Sequence, residues 1–213
     1  MVFVIADLAG YTALTEAHGG DGAATTVARY RDLAEGALAA GARIVEQVGD
    51  ELLIVANDAR AALTSAVRLR DAVDAEPRFP GVRIGIHGGP VVERNGHYFG
   101  QALNLTARLA ARAGADEIIC SATVAEACRD LDGVAFRGLG PQRFKNVPTP
   151  VDVLAVLSDG AHHQGTATDP VCRMRLDPGT APARLPFAAT THYFCSLDCA
   201  RAFAASPESY VTS

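Results

Sequence analysis

Tryptophan is absent from the 213-residue chain, methionine occurs twice, and lysine occurs once, as Lys145 among 19 basic residues. Because arginine fills every other basic position, Lys145 is a residue to follow. No stretch free of Asp, Glu, Lys and Arg exceeds 13 residues. A bilayer-spanning helix needs about 20 apolar residues, so none is expected. The first basic residue is Arg29, whereas a secretory leader carries positive charge ahead of its apolar core. A cytoplasmic location without a membrane partner is the expectation. Basic excess is lacking as well: the net charge of -5 argues against a phosphate-backbone binder, and no nucleic-acid partner is expected. The five cysteines, an odd number, fall as Cys120 and Cys128 in the middle and Cys172, Cys195 and Cys199 near the end. In a reducing compartment the clustered three read as metal ligands or reactive thiols before they read as disulfides.

What is present is ordinary globular composition, 49% hydrophobic and 20% charged, in a length that suggests one full domain plus something smaller. Val2 to Ala6 is an apolar run ending at Asp7, consistent with a buried strand. A Gly-rich loop is expected at His18 to Gly22, followed by a helix capped by Asp21 with Ala23, Val27, Tyr30 and Ala34 on one face. Ala42 to Val48 and Leu52 to Ala56 read as a hairpin with Asp50 at its tip. Asp58 to Val73 and Gly100 to Ala113 carry helical periodicity, and Val82 to Ile86, Val91 to Glu93, Ile118 to Cys120, Val134 to Leu139 and Val151 to Leu157 read as strands. This order predicts an α+β sandwich of the ferredoxin-like or palm type. Ser158 to Thr168 reads as a linker, which leaves a first domain at 1–157 and a small module at 169–213.

Asp7 closes a strand and Asp50 tips a hairpin, so both carboxylates can project from one edge of a sheet, where hard oxygens attract Mg²⁺ or Mn²⁺. Spacing alone fits two solvated turn aspartates better than a metal pair. Asn104 and Arg108 stand four apart on a predicted helix, one face presenting an amide and a guanidinium suited to a ribose oxygen and a phosphoryl charge.

Taken together, Asp7-Leu-Ala-Gly-Tyr-Thr-Ala-Leu14, Val48-Gly-Asp-Glu51, Arg83-Ile-Gly-Ile-His-Gly-Gly89 and Gly100-Gln-Ala-Leu-Asn-Leu-Thr-Ala-Arg-Leu109 resemble the class III adenylyl/guanylyl cyclase catalytic domain. The diguanylate cyclases share the palm, but their Gly-Gly-Asp-Glu-Phe signature is here Val48-Gly49-Asp50-Glu51-Leu52. By resemblance, Asp7 and Asp50 hold two metal ions, Asn104 orients the ribose, and Arg108 stabilises the transition state. The resemblance also implies substrate contacts from Arg83, Lys145, Gly10 and Thr12, the Leu8 to Tyr11 backbone cradling phosphate. It implies a homodimer that shares its sites and turns ATP or GTP into the cyclic monophosphate.

Two positions depart from the family's adenine-reading pattern, Glu46 and His97. The Glu46 carboxylate can accept from guanine N1–H and its 2-amino group, whereas His97 serves either base according to its tautomer. Both purines therefore stay open, as does a non-catalytic dimeric metal- or redox-sensing protein on the same fold.

In the small module, Asp169-Pro-Val-Cys-Arg-Met174, His192-Tyr-Phe-Cys-Ser-Leu-Asp-Cys199, Phe203 and Pro207-Glu-Ser-Tyr210 resemble a YHS domain, with Arg173 where Gly is usual. Cys195 and Cys199 span an expected helix start capped by Ser196. With Cys172 they offer three sulfurs to Cu⁺, or to Zn²⁺ if His192, His162, His163 or water completes a tetrahedron. Small apolar packing of the cysteines is the plainer alternative. Cys120, Cys128 and His87 are expected to be structural, and His18, His162 and His163 to be solvated loop residues.

Overall fold

The computed structural model describes residues 1–158 and 165–211. The first region runs β1 (Val2–Leu8), α1 (Tyr11–Ala37), β2 (Ala42–Val48), β3 (Glu51–Ala56), α2 (Ala59–Ala75), β4 (Val82–Gly88), β5 (Val92–Arg94), β6 (His97–Phe99), α3 (Gln101–Arg112), β7 (Ile118–Ser121), α4 (Ala122–Ala127), β8 (Val134–Gln142) and β9 (Val151–Ser158). Seven of the strands form one sheet in the order β2-β3-β1-β4-β7-β9-β8. The β2-β3-β1-β4 part, antiparallel throughout with α1 and α2 as connections, is the expected ferredoxin-like arrangement.

Strand alternation sorts β1 between two cores. Val2, Val4, Ala6 and Leu8 pack beneath α1 and α2, while Phe3 and Ile5 pack with Ala102 and Ala110 of α3. Asp7 shares the second parity, toward the α3 side, at the end where that core runs out. Helix α3 approaches β4 closely: a Cβ on Gly85 would stand 2.3 Å from the Ala110 nitrogen and 2.5 Å from the Thr106 carbonyl oxygen. Glycine at 85 is therefore what seats the helix that carries Asn104 and Arg108.

The expected loop at His18 to Gly22 is not a loop. Helix α1 starts at Tyr11 and continues to Ala37, with a kink at Gly19 (φ 72°, ψ 176°), and Asp21 caps nothing. Buried Leu14 and the Thr15 hydroxyl, which donates to the Tyr11 carbonyl oxygen, sustain its first turns. The other helices begin near their expected residues, Asp58 capping α2 by accepting from the Ala61 N–H at 2.8 Å. Among the described residues no helix is long and apolar enough to cross a membrane.

The second region contains β10 (Ala167–Thr168) paired with β11 (Arg175–Leu176), β12 (Ala183–Phe187) paired with β13 (Thr190–Phe194), and α5 (Leu197–Ala205). Strand β9 includes Ser158, and β10 takes up Ala167 and Thr168, two residues read as linker in the sequence. Phe203 is its centre, with ring centroids of His192 and Phe194 at 5.0 and 5.1 Å. Arg175 fastens it to the first region: the guanidinium reaches Asp74 at 2.8 Å, Asp116 at 3.3 Å and the Val73 carbonyl oxygen at 2.7 Å, with the side chain 8% exposed.

Candidate active site

The turn between β2 and β3 is two residues long, since Val48 pairs with Glu51, and it lifts Asp50 beside the end of β1. Burial, then the adjacent Asp7, pushes the Asp50 carboxyl up to about 7, against opposing backbone hydrogen bonds at Asp50 and Leu8. Glu51 is raised too, by burial first and then by the Asp7 and Glu46 charges. Two carboxylates crowded in this way repel each other unless a proton or cation lies between them. Arg83, opposite Asp7 in the β1–β4 register, forms an ion pair with it. Beneath them lies a residue that periodicity had placed simply in the core: Tyr30 is fully buried and its hydroxyl finds no partner among the described residues. Burial and then the charges of Asp7, Asp50 and Glu51 hold that phenol in its protonated form.

A separate cleft of about 240 Å³ gathers Asn104 and Arg108 from α3, Lys145 from the loop after β8, and His87 from the end of β4. Residues 37 positions apart in sequence, Arg108 and Lys145, thus line one cleft. Neither Asp7 nor Asp50 lines this cleft. His87 binds the Ser121 hydroxyl at 2.8 Å, and burial lowers its pKa, consistent with a structural place. An adjoining groove of about 190 Å³ puts Glu46 and Asn104 on shared walls. His97 lines neither; it sits exposed in the β5–β6 hairpin opposite Arg94. Gly10 (φ 84°) caps α1 three residues after Asp7, and Thr12 is exposed in the first turn of the helix.

The three distal cysteines converge as their spacing suggested. Cys172 Sγ lies 3.4 Å from Cys195 Sγ, which lies 3.8 Å from Cys199 Sγ, and none forms a disulfide. The Ser196 hydroxyl caps α5 by accepting from the Cys199 N–H at 3.1 Å. Hydrogen bonds from the Cys172 and Cys195 thiols, with help from Ser196 and the His18 ring, favour the Cys199 thiolate, and the Cys172 thiol is pushed up in turn.

The nearby imidazole is not the expected one. His18, half-buried in α1 rather than solvated in a loop, brings Nε2 to 3.5 Å from Cys195 Sγ and 4.0 Å from Cys199 Sγ. The ring of His192 packs on Phe203 instead, and its Nε2 has no partner among the described residues; His162 and His163 lie outside them. Asp169 was visible only as part of a motif. It is fully buried, and its carboxylate accepts from the N–H groups of Val171 and Cys195, both at 2.8 Å, and of Cys172 at 3.4 Å, tying the cysteine loops together. Cys120 and Cys128 are buried in the main core, as expected, and burial pushes the Cys120 thiol up to about 12.

The YHS domain model matches residues 167–213. A crystal structure described as an adenylate/guanylate cyclase/hydrolase from Silicibacter pomeroyi is 33% identical, covers 75% of this chain and 98% of its own, and superposes with a TM-score of 0.64. The pH-sensitive adenylate cyclase MT1302 of Mycobacterium tuberculosis is 28% identical over 154 residues, 71% of this chain and 39% of that protein. An adenylate cyclase of Streptomyces griseus is 34% identical over 122 residues, 57% of this chain and 31% of that protein. The chain thus spans less than two fifths of these curated relatives' lengths. A ferredoxin-like sheet with Asp7 and Asp50 at the ends of its strands, a cleft uniting Asn104, Arg108 and Lys145, and similarity along a whole cyclase-domain structure place this chain in the class III adenylate/guanylate cyclase family, joined to a YHS domain.

Proposed function

We propose that the chain is a nucleotidyl cyclase that converts a purine nucleoside triphosphate to its 3′,5′-cyclic monophosphate and pyrophosphate, at sites shared between two copies. The observation that carries this reading is the cleft in which Asn104, Arg108 and Lys145 meet while Asp7 and Asp50 stand elsewhere. One copy supplies the carboxylates and the other the cleft. In the reaction the ribose 3′-oxygen forms a bond to the α-phosphorus, the bond to the pyrophosphate oxygen breaks, and the 3′-hydroxyl proton is released.

Asp7 and Asp50 suit divalent cations, because their crowding is relieved by positive charge. Mg²⁺ or Mn²⁺ held there would supply Lewis acidity toward the α-phosphate and the 3′-oxygen. Arg83 pairs with Asp7 and is positioned to turn toward a triphosphate once Asp7 is otherwise neutralised. Arg108 stabilises the charge that builds on the α-phosphoryl oxygens, Asn104 fixes the ribose, and Lys145 offsets the triphosphate charge. The α1 N-terminus after Gly10 presents backbone N–H groups to the phosphates.

Glu46, next to Asn104, suits the paired donors of guanine, and adenine would leave it unpartnered at a cost of about 1 to 3 kcal/mol, or roughly 5- to 150-fold. Product formation by the purified chain from ATP and from GTP, with Mn²⁺ and then Mg²⁺, is the test. Cyclic product supports the assignment, and a GTP preference supports the Glu46 contact. A clear ATP preference overturns that contact, and no product from either triphosphate overturns catalysis.

A further inference from the structure

The four donors around the cysteine cluster come from both domains, His18 from the first and Cys172, Cys195 and Cys199 from the second. Two thiolates on a tetrahedral Zn²⁺ stand about 3.8 Å apart, and a thiolate and an imidazole nitrogen about 3.6 Å, given Zn–S and Zn–N bonds near 2.3 and 2.0–2.1 Å. The cluster shows sulfur–sulfur separations of 3.4 and 3.8 Å and sulfur–nitrogen separations of 3.5 and 4.0 Å, and all four atoms lie within 4.8 Å of one another. A disulfide would need about 2.05 Å.

The surroundings hold the donors in this arrangement. Asp169 binds the backbones of Cys172 and Cys195, Ser196 binds that of Cys199, and α1 carries His18 next to its kink at Gly19. The domains also touch at Gly10, where Arg173 takes the left-handed conformation (φ 67°) and lays its stem over the glycine. A Cβ there would stand 2.5 Å from Arg173 Cγ.

The geometry points to a zinc site formed by His18, Cys172, Cys195 and Cys199 that fastens the YHS domain to helix α1 of the cyclase domain. Four protein ligands with no open position make the site structural. Soft thiolates exclude Mg²⁺, so the site is chemically distinct from the Asp7/Asp50 pair. Zinc loading fixes the turns of α1 between His18 and Gly10, the segment that follows Asp7, against the YHS domain. The site does not depend on the cyclase being active.

Metal analysis of the full-length chain, Co²⁺ substitution and limited proteolysis between the domains test this. One zinc per chain is expected, with visible ligand-field bands of tetrahedral Co²⁺ and sulfur-to-metal charge transfer. His18→Ala should weaken zinc at least tenfold in chelator competition, change the Co²⁺ spectrum and speed cleavage between residues 158 and 167. His18→Cys should restore tight binding with added sulfur charge transfer, separating lost ligation from misfolding. Absence of metal, a disulfide among the three cysteines, or equal affinity and spectrum in His18→Ala would overturn the proposal. The last outcome would mean a sulfur-only site, the coordination Cu⁺ favours.

Discussion

The two donor clusters of this chain differ in chemistry and in closure. Asp7 and Asp50 offer hard oxygens at the ends of the strands, with Asp50 only partly buried. The cysteine cluster offers three buried sulfurs and a half-buried imidazole, already within 4.8 Å of each other. An open oxygen pair leaves coordination sites for water and phosphate, whereas a closed tetrad leaves none. The first suits turnover and the second suits attachment, and one helix, α1, starts four residues after Asp7 and carries His18.

If the clusters are separate in function, single substitutions should part them. Arg108→Ala should lower cyclic nucleotide formation about 10²- to 10³-fold and leave the zinc content unchanged. Cys199→Ser should remove the zinc and leave Mn²⁺ binding at Asp7 and Asp50. Loss of both metals from either variant, measured by elemental analysis and Mn²⁺ titration, would break the distinction.

Attachment rests on more than the tetrad. Arg175→Ala would leave Asp74 and Asp116 beside a buried gap, and loss of one partner of a buried ion pair costs about 3 to 5 kcal/mol. Chemical denaturation should show that loss with zinc present; a change below about 1 kcal/mol would make the tetrad the chief fastening. On the catalytic side, Gly85→Ala should push α3 away from β4, with the roughly 1 to 3 kcal/mol cost of overpacking and displacement of Asn104 and Arg108. Its signature is a loss of activity beyond the loss of folded protein, and full activity would place α3 seating outside catalysis.

The smallest effect expected is a pH dependence. Without divalent cations, folding raises the Asp50 pKa from 3.8 to about 7, so the folded chain retains a proton that the unfolded chain releases. That contribution is fully present below pH about 4 and is lost as the pH rises through about 7. In EDTA the melting temperature of the wild type, relative to Asp50→Asn, should fall across this interval. A constant difference would mean that the carboxylates are not crowded.

Much of this was legible in the sequence wherever local chemistry agreed with tertiary packing. The Gly49-Asp50 turn, the Ser196 cap and the face shared by Asn104 and Arg108 each follow from short-range rules. Helix α1 was misplaced because Gly19, Gly20 and Gly22 each disfavour a helix by about 1 kcal/mol. Packing of Leu14 and Ala23 overrides that penalty, at the expense of the kink. His18 was hidden for a related reason, being 177 residues from Cys195, and no local spacing links the two. Arg173 departs from the family pattern with no local signal of its role, because its stem packs over Gly10, far away in sequence.

The shared active site is tested most directly by mixing two inactive variants, Asp50→Ala and Arg108→Ala, and measuring cyclic nucleotide formation. Each heterodimer would combine an intact carboxylate pair from one copy with an intact cleft from the other. Random pairing should then recover roughly a quarter of the wild-type rate, one working site in half of the dimers. No recovery in confirmed heterodimers would contradict catalysis between two copies.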